Sequence, residues 1–139
     1  MQQDYLVRQA EQMGQALALI LSKLSGLKNQ PKEIIDVSEV NHIFDEKLDF
    51  NMDDLLAVPK ENLVGFLQTN KEEMNDNNLE ALANILAFLA KETDLNIRKQ
   101  LCERSLAIFE YLDVSDRKTY SFYRRMMIEE LKSLINLQV

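Results

Sequence analysis

The chain has 139 residues, a length that makes one domain and buries a core without disulfide or metal staples. A net charge of −7 argues against non-specific nucleic-acid binding, which needs an excess of Lys and Arg to displace counterions. One cysteine excludes an internal disulfide, and with it a stapled secreted scaffold.

Glycine (3) and proline (2) are scarce, and apolar residues recur close to every 3.6 positions, so the fold class is all-α. The opening MQQDYLVRQAEQ puts Asp4, Arg8 and Glu11 where a signal peptide needs an uninterrupted apolar core. The longest apolar run, Ala16–Leu21, is six residues, against about 20 for a membrane-spanning helix. A cytoplasmic protein with no membrane partner is the expectation.

In chain order, the first helix is expected from about Gln3 to Leu24, with Leu6, Ala10, Met13, Leu17, Leu21 and Leu24 on one stripe. Gly26 reads as its stop. Asn29-Gln30-Pro31 reads as a turn that opens a second helix, Lys32–Leu48, with Ile34, Val37, Val40, Phe44 and Leu48 inward. Residues 3–48 thus form a first hairpin.

The next passage, Asp45–Asp54, holds five carboxylates in ten residues. A calcium loop would want a central glycine and a terminal glutamate; here Leu48, Phe50 and Met52 alternate as anchors instead. No metal site is assigned. Asn51 or Asp53 reads as the cap of a one-turn helix, Asp54–Val58, ended by Pro59. Pro59 then opens a second short helix, Lys60–Thr69, with Leu63, Phe66 and Leu67 inward, and the two short helices occupy 53–69.

After the loop Asn70–Asn78, two amphipathic helices follow as a second hairpin over 76–113. Leu79, Leu82, Ala83, Leu86, Leu89 and Ala90 make the apolar face of its first helix, and Leu101, Cys102, Leu106, Phe109 and Leu112 that of its second. Asp113–Asp116 reads as a break with Ser115 or Asp116 as cap. A last helix, about 117–137, presents Tyr120, Tyr123, Met127, Leu131, Leu134 and Ile135 to the core and caps the array.

A 65-residue shift lays Leu17-Ala-Leu-Ile-Leu-Ser-Lys-Leu24 over Leu82-Ala-Asn-Ile-Leu-Ala-Phe-Leu89, with five of eight positions identical. The same shift places Val37 over Cys102, Val40 over Ser105 and Ile43-Phe44 over Ile108-Phe109. This is the pattern of a duplicated hairpin.

The second hairpin resembles a degenerate tetratricopeptide unit. Leu82, Ile85, Leu86 and Leu89 match its first-helix apolar positions; Cys102, Ser105 and Leu106 match its second-helix aromatic, small and apolar positions. Arg98, Leu86 and the lack of a proline after the second helix depart from the pattern. The resemblance implies hairpins stacked in a right-handed array that binds other proteins. The whole chain is also similar to an uncharacterised bacterial family of short all-helical proteins. That similarity rests on Asp4-Tyr5-Leu6-Val7-Arg8-Gln9-Ala10-Glu11 and on Leu106–Tyr123. It implies no activity.

Chemistry-bearing residues are few. His42 is the sole histidine, which excludes His-pair metal sites. Cys102 is a core position and reads as an inert buried thiol. Glycines 14, 26 and 65 are isolated, so there is no phosphate loop or nucleophile elbow, and neighbouring pairs such as Glu72-Glu73 and Glu129-Glu130 point apart on a helix. No catalytic, cofactor or metal residue is assigned. The segment Lys118–Arg125 interleaves aromatics with cations as single-strand binders do. Tyr120 and Tyr123 nevertheless stand at core spacing, and Arg124 and Arg125 within reach of Glu129.

The function expected is a non-enzymatic interaction module that takes a protein partner or a second copy of the same chain. Its candidate contact residues are Tyr5, Arg8, Arg98, Arg104, Arg124 and Arg125. The competing reading is an enzyme or small-molecule binder in which Arg8, Arg98 or Arg104 converges with carboxylates on an enclosed cavity. Nucleic-acid binding would instead require a contiguous positive face over residues 98–125.

Overall fold

A computed structural model of the chain describes residues 2–28, 37–70, 73–92, 95–115 and 121–136. Among these residues the structure is all helical: α1 (Gln2–Lys28), α2 (Val37–Lys47), α3 (Met52–Ala57), a 3-10 turn (Lys60–Asn62), α4 (Leu63–Asn70), α5 (Asp76–Glu92), α6 (Leu95–Ser115) and α7 (Phe122–Asn136). The expected turn at 29–31, Ile34, Asp116 and Tyr120 lie outside the described residues.

The apolar stripes meet in one core. Met13, Leu17, Ile20 and Leu24 of α1 join Val40, Ile43 and Phe44 of α2, and nearly the whole inward face of α5. Leu101, Cys102, Ile108, Phe109 and Leu112 of α6 close it from the other side, with Met127, Ile128 and Leu131 of α7. α5 packs on α1 and on α6, and α6 in turn on α7 and α4. The central pair is therefore the organising element, as its two unbroken apolar faces require.

The 65-residue shift pairs some positions of equal burial and others of unequal burial: Ala18, Leu21 and Ser22 are more exposed than Ala83, Leu86 and Ala87. Leu17 and Leu82, Ile20 and Ile85, Leu24 and Leu89, Val40 and Ser105, Ile43 and Ile108, and Phe44 and Phe109 are all buried.

Local chemistry fixes the short elements. Asn51 caps α3: its side-chain oxygen accepts from the Asp54 N–H at 3.1 Å, and the Asp54 carboxylate accepts from the Asn51 N–H at 3.0 Å. This reciprocal cap starts α3 at Met52, two residues earlier than expected, and Met52 is fully buried. Asp45 accepts from the Asn51 amide and Asp53 from the Asn41 amide, so carboxylates of the acidic passage serve as acceptors within the fold. Among the described residues no group of three or more His, Cys, Asp or Glu side chains could hold a metal ion.

Three helix limits differ from expectation. α1 runs through Gly26 to Lys28, because Gly26 takes no left-handed φ and so does not end it. Asp113, Val114 and Ser115 remain in α6 rather than breaking it, with the Ser115 hydroxyl donating to the Leu112 carbonyl at 3.4 Å. α7 runs from Phe122, and Ser121, expected inside the helix, instead caps its start by accepting from the Arg124 N–H, while the expected start near 117 lies outside the described residues. No helix among the described residues is long and apolar enough to cross a membrane.

Buried polar groups are tied across the chain. The Ser105 hydroxyl donates to the Ala83 carbonyl at 2.8 Å, pinning α6 to α5. The Asn78 amide donates to the carbonyls of Ala10 (2.9 Å) and Glu73 (2.7 Å), pinning α5 to α1. Gly14 makes room for it: a Cβ there would lie 3.1 Å from the Asn78 Oδ1. On the far side the Tyr111 hydroxyl donates to Gln68 of α4.

Candidate interaction surface

α1 is longer than the helices it packs against. At 27 residues it spans about 40 Å, whereas α5 spans about 25 Å. The first turn of α5 meets α1 at Ala10 and Gly14, through Asn78. The first two turns of α1 therefore overhang the start of α5. Leu6, two turns before Met13 on the same inward stripe, is 37% exposed where Met13 is 9%. Its neighbours Tyr5 and Val7 are exposed at 62% and 57%. Burying side chains of this kind is favourable by about 1.5–3 kcal/mol each, so this end of α1 is an uncovered apolar surface.

A groove of about 420 Å³ continues that surface inward, between Leu6, Val7, Ala10 and Gly14 on α1 and Asn75, Asn77 and Asn78 on α5. Asn75 belongs to the α5 cap, its side-chain oxygen accepting from the Asn78 N–H at 2.9 Å. The α1 wall is thus apolar apart from Glu11, and the other carries amides. Gln9 donates to the Tyr5 hydroxyl at 2.9 Å and steadies the ring. Arg8 is exposed and unpartnered among the described residues.

A second groove, about 490 Å³, lies between the 3-10 turn, α6 and α7. Leu106, Ala107 and Ile135 line its floor, and the rim carries Lys60, Glu61, Glu103, Glu110 and Lys132.

The remaining arginines are engaged inside the fold. Arg104 is 8% exposed, and its guanidinium donates to the carbonyls of Leu55, Leu56 and Val58 (2.9 Å each) and of Gln100 (3.2 Å). It satisfies the carboxyl end of α3 and is not a surface contact residue, which corrects its assignment from sequence. Arg98 likewise donates from Nε to the Ala90 carbonyl at 2.7 Å, near the end of α5. None of Arg8, Arg98 and Arg104 lines either groove described above.

Arg124 and Arg125 find partners on neighbouring helices. Arg124 pairs with Glu80 at 2.7 Å and Arg125 with Asp113 at 2.9 Å. α7 packs on α6 and reaches α5, which brings those carboxylates within range. With Lys91–Glu130 and the hydrogen bond from Tyr123 to Asn84, the Arg124–Glu80 pair makes a polar seam between α5 and α7, while Arg125–Asp113 ties α7 to α6. Burial, with Glu80 and Glu130 nearby, pushes the Tyr123 phenol above its usual range. Tyr123 is half-exposed and sets its ring edge against buried Phe109, centroids 6.2 Å apart, rather than entering the core. Among the described cations of residues 98–125, Arg98, Arg104, Arg124 and Arg125 cap helix ends or pair with carboxylates, and Lys99 is exposed.

His42 and Cys102 stand apart from both grooves. His42 is exposed and sets Nε2 3.0 Å from Glu46, whose carboxyl is held below its usual range by the hydrogen bond and charge of Lys23. Cys102 is fully buried, and burial pushes its thiol up.

The polar residues missed in sequence were legible in principle. Asn78 stands one turn before Leu82, on the inward face of α5, and Arg104 falls among buried α6 positions. A polar residue inside an apolar stripe signals a buried tie. Its partner, 46 to 68 residues away, does not show in the sequence. Compared with known proteins, the chain matches no family model, no curated protein and no solved structure.

Proposed function

We propose that this chain is a non-enzymatic protein-interaction module: two tetratricopeptide-like hairpins, α1–α2 and α5–α6, stacked in a right-handed array and closed by α7. On this reading it works in the cytoplasm, belongs to the bacterial family of short helical proteins that it resembles, and takes its partner on the overhanging end of α1. The observation that carries the proposal is Leu6, a residue of the core stripe left uncovered beside exposed Tyr5 and Val7. What supports the stacked arrangement is that Leu17, Ile20, Leu24, Ile43 and Phe44 are buried, as are their counterparts 65 residues on. Arg8, exposed on the same two turns, gives the surface a polar edge that orients a partner.

The test is co-purification of tagged chain from its own cell, comparing wild type with Leu6→Asp/Val7→Asp. The reading expects a protein recovered with wild type and depleted about tenfold or more with the variant. The same proteins recovered at the same level with both chains would refute it. Light scattering on the purified chain separates the two forms of partner, since only a second copy doubles the mass and loses that mass in the variant.

A further inference from the structure

The groove between the 3-10 turn, α6 and α7 has a chemistry of its own. Its floor is apolar: Leu106 and Ile135 pack against the core from below yet remain half-exposed above. Its rim is charged but incompletely paired. Lys60 faces Glu103 at 3.9 Å, whereas Glu61, Glu110 and Lys132 have no ion-pair partner among the described residues. Two unpaired carboxylates against one unpaired ammonium leave the rim acidic. The chain's net charge of −7 adds a field of the same sign around it. A cationic group gains at this rim, and an acidic or phosphorylated one is repelled.

The shape narrows the occupant further. The groove is open to solvent, so a small apolar molecule would leave much of its own surface wet, where a good small-molecule site buries most of it. A peptide needs less enclosure, because its flanking residues continue past the groove on both sides.

We propose that this groove binds a short amphipathic segment of a partner protein, which lays apolar side chains on Leu106 and Ile135 and turns a lysine or arginine to Glu61 and Glu110. The proposal rests on the interaction-module reading and names the chemistry of a partner at a second surface. Lys132 limits the positive charge such a segment can carry, so one or two cations beside apolar anchors suit the rim better than a basic run.

The test is selection of phage-displayed random peptides on the full-length chain, followed by fluorescence anisotropy of the enriched peptides. Enriched sequences should pair apolar residues with Lys or Arg. They should bind Glu61→Lys/Glu110→Lys about tenfold or more weakly. They should bind Lys132→Glu more tightly, a gain that damage to the fold would not produce. No enrichment, acidic enriched sequences, or equal binding to the double variant would overturn the proposal. Peptides that lose affinity on Val7→Asp but not on Glu110→Lys would overturn it while leaving the α1 reading standing; a library with no binder at either surface would count against both.

Discussion

Replacing Arg104 with methionine should cost about 3 kcal/mol of stability, because one buried cation satisfies four backbone carbonyls. Hydrogen bonds to a charged group contribute about 1.5–3 kcal/mol each, and four would sum to far more. Burying the guanidinium costs several kcal/mol in lost hydration, which cancels much of that sum. The carbonyls of Leu56 and Val58 belong to half-buried residues, so water recovers part of their loss once the side chain is gone. What remains is the orphaned Leu55 carbonyl in a buried place and a carboxyl end of α3 with nothing to hold it against α6. Methionine keeps the apolar stem, so the packing of the stem is not what the substitution removes. Urea unfolding followed by helical circular dichroism reads the effect. With a slope of about 2 kcal/mol/M, the midpoint should fall by about 1.5 M. Arg104→Lys should recover less than half, since one ammonium cannot span carbonyls set around a planar fork. An unfolding free energy for Arg104→Met within about 0.5 kcal/mol of wild type would show that the four carbonyls do not depend on the guanidinium.

The glycines of α1 make a matched pair. Gly26→Ala meets nothing within 4 Å and should stabilise the chain by about 0.5–1 kcal/mol through helix propensity. Gly14→Ala should gain nothing or lose stability, because its Cβ presses on an Asn78 side chain already held by two hydrogen bonds; a gain equal to that at Gly26 would show that Asn78 is not anchored. Cys102 should resist alkylation in the folded chain and react once urea unfolds it. Its raised pKa also fixes a sign: the unfolded chain releases the thiol proton above about pH 8.5 while the folded chain keeps it. The stability it contributes is therefore complete below that pH and declines as pH rises toward the folded value. The urea midpoint should fall with pH more steeply in wild type than in Cys102→Ala, and parallel curves would contradict this. A double-mutant cycle on Arg124 and Glu80, with alanine at each, should return a coupling of about 1 kcal/mol, since the pair is mostly buried in the α5–α7 seam. Additive single effects would place that seam's stability elsewhere.

How much of this was legible in the sequence depends on the range of the interaction that decides each feature. The inward faces of α5 and α6 follow from periodicity alone, because an apolar residue every three or four positions has one way to be buried. The cap at Asn51 is equally local, a matter of three residues. Helix ends were harder. Gly26 and the Asp113–Ser115 stretch carry stop signals, yet a helix continues through such residues when neighbouring turns are anchored by packing, and Phe109 and Leu112 anchor the second case. The roles of Arg104, Asn78 and Arg124 were out of reach, since each is set by a partner on another helix. The overhang of α1 was invisible for the same reason: Leu6 looks like any other residue of its stripe until the start of α5 is located against Gly14.

The central claim is that the free end of α1 is covered by protein when the chain is at work. It is tested most directly by placing a photo-crosslinking amino acid at Val7 in the cell that makes the protein, with a control at Gln15, exposed on the same helix beyond the overhang. Val7 should give a discrete adduct that is absent from Gln15 and lost when Leu6 is changed to Asp. No adduct from Val7, or the same adducts from both positions, would contradict it.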